Sequence, residues 1–282
     1  MIQNLRQIKL RIRSVSSTRR ITRAMEMVSA AKLNRVKNIH QTAVEYFDEL
    51  DGMFRRLHSD RGAIAHPLTE ERFPVKTIAL VIITSDTGLC GSYNNNVLKT
   101  AEEFISDHKE YNIELIAVGK EAHSHFKDKG IFLNNHFGLY GRYSEDTAKA
   151  LTNEMVKIYT SEEADEIYIA YTKFSSSLRH MSVVEKFLNV DWGTDSEHDH
   201  IYEPSPDALF DSMLKEYLLA KIRAIILESF TAEHSARMLA MKTATDNADE
   251  LIDKLTMMRN KARQFAITKE VLEIAMSAEA LR

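Results

Sequence analysis

One short motif carries the residues with the clearest capacity for chemistry. The run Ser85-Asp86-Thr87-Gly88-Leu89-Cys90-Gly91-Ser92 follows a β-branched apolar stretch, Thr77 to Thr84. A glycine-rich turn between a strand and a helix can cradle phosphate, but neither G-x-G-x-x-G nor G-x-x-x-x-G-K-[ST] is present. Cys90 could act as a nucleophile only with a base in reach, and no spacing in the sequence places one. We therefore interpret the glycines as a tight strand-to-helix turn.

A second candidate is a possible metal site in the acidic segment from Asp191 to Pro206. Its run His198-Asp199-His200 contains residue types that bind divalent transition metals, although an acidic loop also produces such runs by chance. Cys90 is the only cysteine, which excludes an internal disulfide and a cysteine-based zinc cluster. The sequence therefore predicts no catalytic residue, no cofactor-binding residue and no metal site.

The middle of the chain has the pattern of a compact α/β domain. Short β-branched runs that alternate with helical segments are typical of a mostly parallel sheet covered on both faces. The last two predicted strands are joined by a short connection, Ser175 to His180, which predicts a hairpin and one antiparallel edge. The predicted strands are 77–84, 113–118, 131–137, 167–174 and 181–190, and the predicted helices are 94–108, 120–129 and one that starts at Ser144.

The carboxyl end is a stretch of 76 residues, Asp207 to Arg282, without glycine or proline. Its apolar and small residues recur in steps of three and four, which is the repeat of a left-handed coiled coil. A continuous helix of this length would extend over about 110 Å, so its seam needs a partner. The predicted seam positions are Phe210, Met213, Tyr217, Ala220, Ala224, Leu227, Thr231, Met238, Met241, Thr245, Ala248, Ile252 and Leu255.

The amino end supplies that partner. It contains no glycine or proline from Met1 to Asp51, and it repeats the same step. We predict an antiparallel pairing of the two ends, with the α/β domain inserted between them; two long helices in an ordinary bundle are the alternative. The predicted domains are residues 1–58, 75–192 and 207–282. The predicted seam is Leu5, Ile8, Ile12 and Val15, then after a slip through Thr18 to Arg20 it is Ile21, Met25 and Val28, and later Val36, Ile39, Ala43, Tyr46, Leu50, Met53 and Leu57.

Charge is distributed unevenly. Residues 1–37 contain ten Lys or Arg and a single acid, Glu26, which gives this segment a net charge of +9 in a chain of net charge −4. Such a helix could contact nucleic-acid phosphate, an acidic lipid surface or an acidic protein collar. No stretch approaches the ~20 apolar residues that span a bilayer, and the amino terminus lacks the apolar core of a signal peptide. We expect a cytoplasm-like compartment.

Four segments of the chain contain motifs that are found together in one known family. The amino-terminal segment, Ile8 to Lys32, contains Ile21-Thr22-Arg23-Ala24-Met25-Glu26-Met27-Val28-Ser29. The central segment is Thr84-Ser85-Asp86 with Gly88-Leu89-Cys90-Gly91, and the carboxyl-terminal segments are Arg237 to Ala248 and Asn260 to Glu270. In these segments the chain resembles the gamma subunits of F-type ATP synthases, and the first segment resembles the first helix of that family. The resemblance covers nearly the whole chain, in the right order.

The resemblance implies a central rotor shaft. It implies the fold already predicted: a long antiparallel coiled coil of the N- and C-terminal helices plus an inserted Rossmann-like α/β domain with a mostly parallel sheet. The implied partners are the alpha and beta subunits of an alpha3beta3 ring, the epsilon subunit and the membrane rotor ring (c-ring). The shaft would be a non-catalytic subunit of an H⁺-transporting enzyme complex, peripheral at the cytoplasmic face of the inner membrane.

Specific residues follow from the resemblance alone. Met25, Gln264, Thr268 and Glu270 match positions that contact the beta subunit, and Tyr202 and Glu203 fall in the loop near the epsilon subunit and rotor ring. In two places the chain departs from the family: Thr87 stands where arginine is common, and Ser277-Ala278 replace a glycine-containing tail. The alternative functions are a nucleic-acid-binding basic coiled coil and a small α/β enzyme with helical arms.

Overall fold

The structure is a computed structural model that describes residues 5–59, 66–129, 133–138, 143–176, 179–190, 203 and 205–280. Helices and strands alternate between two long terminal helices, as predicted. The helices are α1 (Leu5–Ser59), α2 (Tyr93–Asp107), α3 (Lys120–Phe126), α4 (Glu145–Thr160) and α5 (Pro206–Ala280). The strands are β1 (Thr77–Ile83), β2 (Asn112–Val118), β3 (Leu133–Phe137), β4 (Glu166–Ser176) and β5 (Arg179–Leu188).

The chain divides into two compact units, which we describe separately. The first unit contains the start of α1, up to Ser29, and the part of α5 from Met238 onward. The second unit is the segment Ala30–Arg237, which contains the sheet, the remaining helices and the other parts of α1 and α5.

The second unit is built on a five-stranded sheet of order β3-β2-β1-β4-β5. The pairs β1 with β2, β1 with β4, and β2 with β3 are parallel, whereas β4 and β5 are antiparallel. The prediction of a mostly parallel sheet with one antiparallel edge is therefore confirmed. The predicted strand boundaries lie within two residues of those observed.

The central strand β1 is buried on both faces of the sheet, which explains its nearly continuous apolar run. Successive residues of β1 point to opposite faces. Ala79, Val81 and Ile83 join a core with α4, α1 and α5, whereas Leu80 and Ile82 join a core with α2 and α3. The first of these cores includes the ring contact of Phe54 with Tyr217, at a centroid distance of 4.9 Å.

The long helices confirm one predicted seam and correct the other. Every predicted seam position of α5 is buried or half-buried. On α1, however, Ile21, Val28, Ile39, Tyr46 and Met53 are exposed, so this part of the prediction is wrong. The buried and half-buried positions of α1 include one unbroken series in steps of three and four: 5, 8, 12, 15, 19, 22, 26, 29, 33, 36, 40, 43, 47, 50, 54 and 57.

The prediction failed because the seam of α1 in the first unit is formed largely by polar residues. Thr22 and Ser29 are buried, and Arg19 and Glu26 are half-buried. An apolar pattern cannot reveal these positions, so the sequence suggested a phase slip where the structure has none. The apolar residues next to them on the sequence lie on the exposed face instead.

Candidate functional site

The first unit ends in a stretch of α5 that is level with no described residue of α1, and we call this stretch the tip (residues 263–280). The two helices of this unit run antiparallel, because Arg19 Nη1 lies 2.7 Å from Asp249 Oδ1 and Thr245 Oγ1 donates to Thr22 Oγ1 over 2.8 Å. In this register Leu5, the first described residue of α1, lies level with about residue 262. Burial on α5 stops at the same level.

The tip exposes several large apolar side chains. Its described side chains, 263–278, are all exposed. Monomeric proteins rarely leave a contiguous apolar surface in water without a partner that covers it. The exposed large apolar residues of the tip are Phe265, Ile267, Val271, Leu272, Ile274 and Met276.

Three of the sequence-predicted contact residues lie on the tip. Gln264, Thr268 and Glu270 are all exposed. Thr268 donates its hydroxyl hydrogen to the Gln264 carbonyl over 2.9 Å, so these two residues share one helix face. At about 100° per residue, Glu270 lies roughly 200° around the helix from Thr268. The three residues therefore surround the helix and do not form one patch.

The fourth predicted contact residue, Met25, lies elsewhere in the first unit. It is half-buried on α1, and in the antiparallel register it lies level with about residue 242. Gln264 is 22 residues further along α5, a distance of roughly 33 Å at 1.5 Å per residue. The structure does not bring Met25 together with the tip residues.

The arginines of α1 in this unit lie mostly on its outer face. Arg11, Arg13, Arg20 and Arg23 are exposed, and Arg19, which pairs with Asp249, is half-buried. The basic segment thus presents a positively charged surface to the surroundings. Leu10, Ile21, Met27 and Val28 add exposed apolar area to the same segment.

The motif after β1 contains a cluster of buried hydrogen-bonded side chains in the second unit. The backbone N–H of Ser85 donates to Asn94 Oδ1 over 3.0 Å, and Asn94 Nδ2 lies 2.8 Å from Ser85 Oγ and 3.3 Å from Cys90 Sγ. Burial raises the pKa of the Cys90 thiol. This arrangement holds the turn rigid and keeps Cys90 a buried thiol, which agrees with our structural interpretation of the motif.

Two glycines near this turn, Gly91 and Gly119, have backbone conformations that favour glycine. Gly91 has a φ of +61°, which favours glycine, whereas Gly88 has open space around it and Leu89 takes the other left-handed position with a φ of +62°. At the end of β2, Gly119 has a φ of +98°, and a Cβ there would lie 2.2 Å from the Thr84 carbonyl oxygen. Gly119 therefore permits the close approach of the β1 and β2 carboxyl ends.

Arg237 ties this turn to α5, and the sequence reasoning did not identify it as a site residue. Its Nη2 donates to the Thr87 carbonyl over 2.8 Å, and its Nη1 donates to Glu233 Oε1 over 2.6 Å. The Arg237 and Glu233 side chains are 9% and 3% exposed, so this ion pair is buried. The signal available in the sequence was a Glu and an Arg four residues apart inside a stretch of α5 with few other charges.

Burial shifts the titration of the groups around this ion pair. Burial raises the pKa of Glu233, although the nearby Arg237 guanidinium opposes the shift. Burial, with the positive charge of Arg237, lowers the pKa of His234 to about 4. His234 is therefore neutral at pH 7, and the carboxylate of Glu233 depends on Arg237 for its charge.

The remaining sequence-predicted residues are partly outside the described chain. Glu203 is exposed, whereas Tyr202 and the run His198-Asp199-His200 lie outside the described residues. Among the described residues no group of three His, Cys, Asp or Glu side chains could hold a metal ion. No helix in the described part of the chain has the length and apolar character needed to cross a membrane.

Comparisons with known structures find similar folds. One solved structure of the Euglena gracilis mitochondrial ATP synthase, described as OSCP/F1/c-ring in rotational state 3, matches with a TM-score of 0.70 at 19% identity, over 98% of this chain and 94% of the other. A second, of the rotor of the same enzyme in rotational state 1, matches with a TM-score of 0.63 at 18% identity, over 93% and 98%.

Comparisons of sequence identify the family. The family described as ATP synthase (ATP-synt) matches residues 4–281. The ATP synthase gamma chain of Protochlamydia amoebophila is 37% identical over 99% of both chains. The ATP synthase gamma chain of Geobacter sp. (strain M21) is 38% identical, again over 99% of both chains. The chain belongs to the ATP synthase gamma chain family.

Proposed function

We propose that the chain is the central rotor shaft of an F-type ATP synthase. In this role it couples transmembrane ion flow, of H⁺ in our proposal, to ATP synthesis or hydrolysis at catalytic sites on other subunits. The observation that carries the proposal is the exposed tip of α5, in a chain of this family. A helix end with six exposed large apolar side chains and no partner among the described residues needs a surrounding partner.

The partners in the proposal are those of the central stalk. An alpha3beta3 ring surrounds the first unit, and the epsilon subunit and the c-ring adjoin the second unit near Tyr202 and Glu203. The shaft is peripheral to the membrane, at its cytoplasmic face, and is held there through its partners. The membership in the gamma chain family does not support the alternative of a nucleic-acid-binding coiled coil.

The proposed contacts explain how one shaft could drive three identical sites. A shaft changes the state of a catalytic subunit only if its contacts stabilise one conformation of that subunit more than another. Gln264 and Thr268 share one face of the tip and Glu270 lies on the other side, so each ring subunit meets a different surface at any instant. Rotation then changes which subunit meets which surface.

Met25 provides a second proposed contact, with a beta subunit, at a different level of the shaft. It lies roughly 33 Å from Gln264 along the helix axis, so the two contacts are made by different parts of a surrounding ring. The exposed arginines of the basic segment lie on the same helix as Met25, where an acidic collar would be attracted to them.

Affinity purification from membranes tests this function. A tagged chain expressed in its own cells should recover two larger proteins in threefold molar excess, with an ATPase activity that the isolated chain lacks. The recovered complex should be unchanged by nuclease treatment. Recovery of nucleic acid, with retention that falls as salt is raised and no large partners, would contradict the proposal.

A further inference from the structure

The second unit contains a cleft that has no part in the proposed rotor function. It has a volume of about 280 Å³ and lies between α1, the end of β5 and α5. That volume would hold roughly nine waters at about 30 Å³ each, which is more than a single inorganic ion needs. The cleft is lined by Phe47, Asp51, Arg55, Lys186, Asn189, Val190, Tyr217 and Lys221.

Most charges in the cleft are already paired. Asp51 accepts from Arg55 Nε over 2.6 Å through one oxygen and from the Tyr217 hydroxyl over 2.8 Å through the other. Lys186 Nζ donates to Glu166 Oε1 over 2.6 Å. Two of the three cations and the one acid of the lining are thus engaged with each other or with a neighbouring carboxylate.

Lys221 is the exception. Its half-buried ammonium has one hydrogen bond to the described residues, a long one of 3.5 Å to the Lys186 carbonyl, although an ammonium carries three donors. It also lies 5.3 Å from the centre of the Phe187 ring. Burial lowers the pKa of Lys221, against the attraction of Glu185 and Asp51. A partly desolvated cation with donors that the described residues leave unused favours an anionic ligand.

The cleft also has an apolar part, formed by Phe47, Val190 and Tyr217 beside the polar Asn189 and the charged residues. The Phe47 and Tyr217 rings contact each other with centroids 5.5 Å apart. Val190, which is buried, follows two residues after the end of β5. A ligand that contacts both this apolar part and Lys221 must combine an apolar body with one anionic end. Among the described residues, Lys221 has no carboxylate within ion-pair distance, so one negative charge on the ligand would balance it.

We propose that this cleft binds a small organic monocarboxylate. Its carboxylate would accept hydrogen bonds from Lys221, and its apolar body would contact Phe47, Val190 and Tyr217. This site is distinct from the residues assigned above to the ring, the epsilon subunit and the c-ring. It would allow a small carboxylate metabolite to bind the part of the chain that contains the sheet.

Calorimetric titration of the full chain with hexanoate and with hexanamide tests the proposal. The two ligands have the same apolar body but differ in charge, so we expect hexanoate to bind at least tenfold more tightly at pH 7. Butyrate should bind more weakly than hexanoate by about fourfold for each missing methylene, because a buried CH₂ contributes about 0.8 kcal/mol. Equal affinities for hexanoate and hexanamide, or no binding of hexanoate up to 50 mM, would overturn the proposal.

Two further measurements assign the preference to Lys221. Lys221→Met should bind hexanoate and hexanamide equally, whereas Lys215→Met, which alters an exposed lysine of the same helix, should keep the tenfold preference. Because burial lowers the pKa of Lys221 below the ordinary 10.5, the preference of the unaltered chain should be largely lost at pH 10.5, in the presence of Asp51, Arg55, Glu185, Lys186 and Tyr217. A preference that survives in Lys221→Met rules out the site. If this variant does not fold, a preference of the unaltered chain that is the same at pH 7 and pH 10.5 rules it out.

Discussion

Thr22 of α1 and Thr245 of α5 form a hydrogen bond of 2.8 Å between their hydroxyl oxygens in the interior of the first unit. Both side chains are buried, and each hydroxyl also has a backbone carbonyl on its own helix within 3.0 Å, those of Arg19 and Met241. This contact belongs to the antiparallel register in which the tip of α5 extends beyond the first described residue of α1. Small hydroxyl residues at this level let the two helices approach closely.

We expect this pair to couple energetically. Thr22→Val and Thr245→Val should each lower the free energy of unfolding by about 1 kcal/mol, because each removes the bond between the helices and leaves a partner hydroxyl less satisfied. The double variant should cost less than the sum, since both polar groups are gone. Urea unfolding followed by circular dichroism gives the four free energies of this double-mutant cycle. Thr243→Val, which alters an exposed threonine of the same helix, is the control. Strictly additive costs would show that the two hydroxyls act independently.

The buried ion pair of Arg237 and Glu233 predicts a dependence on pH. Arg237→Met should lower the free energy of unfolding by about 3–5 kcal/mol, because it leaves a buried carboxylate without its partner. Burial already raises the pKa of Glu233, and loss of the guanidinium should raise it further. The folded variant then binds a proton that the unfolded chain releases above about pH 4.5, so its stability falls as pH rises.

Thermal unfolding at pH 5 and pH 8 checks this expectation. The difference in midpoint between Arg237→Met and the unaltered chain should be smaller at pH 5. Adding Glu233→Gln to Arg237→Met should restore most of the midpoint at pH 8 and remove the pH dependence. A variant whose deficit is the same at both pH values would indicate that Arg237 stabilises chiefly through the Thr87 carbonyl.

Truncation separates the tip from the paired part of α5. Removing residues 263–282 should leave the unfolding midpoint of the isolated chain unchanged, because the described side chains of this segment are exposed. Removing residues 248–282 should lower the midpoint, since Ala248 and Leu255 are buried and Asp249 pairs with Arg19.

Hydrogen exchange of the intact chain should be fast from Leu272 to Ala278, where no described neighbour protects the helix. Slow exchange there would contradict an unpaired tip.

The basic segment should act through charge. In a reconstituted complex, Arg23→Glu should weaken coupling or assembly more at low salt than at high salt, because exposed charges are screened over about 10 Å at 0.1 M ionic strength. Lys99→Glu, an exposed lysine of α2, is the matched control and should have little effect. An effect of Arg23→Glu that is the same at all salt concentrations would assign the role of this arginine to packing.

The centre of the sheet could be predicted from sequence because β1 is buried on both faces. The run from Thr77 to Thr84 has no helical period, and the short link after β4 allows only a hairpin. The helical structure of α5 through Ala280 also agrees with a segment that contains no glycine or proline. In each case the residue types that favour the local secondary structure are also the ones that suit the surroundings of the segment in the fold.

The seam of α1 and the role of Arg237 could not be predicted in the same way. The seam of α1 is polar at Arg19, Thr22 and Ser29. These residues can be recognised as seam positions only from their partners on α5: Asp249 and Thr245 contact Arg19 and Thr22 and lie more than 200 positions away in the sequence. Arg237 likewise acts on Thr87, across 150 positions. Such contacts depend on which distant elements meet, and hydrophobic periodicity contains no information about that.

Direct observation of rotation tests the central claim, that the chain is a rotor shaft. A probe attached through Lys109→Cys, an exposed position of the second unit, in a Cys90→Ser background would report on motion of this chain within an immobilised alpha3beta3 ring. The account predicts that ATP drives unidirectional rotation of the probe, in three steps per turn. ATP hydrolysis by the same assembled complex with a stationary or randomly moving probe would contradict it.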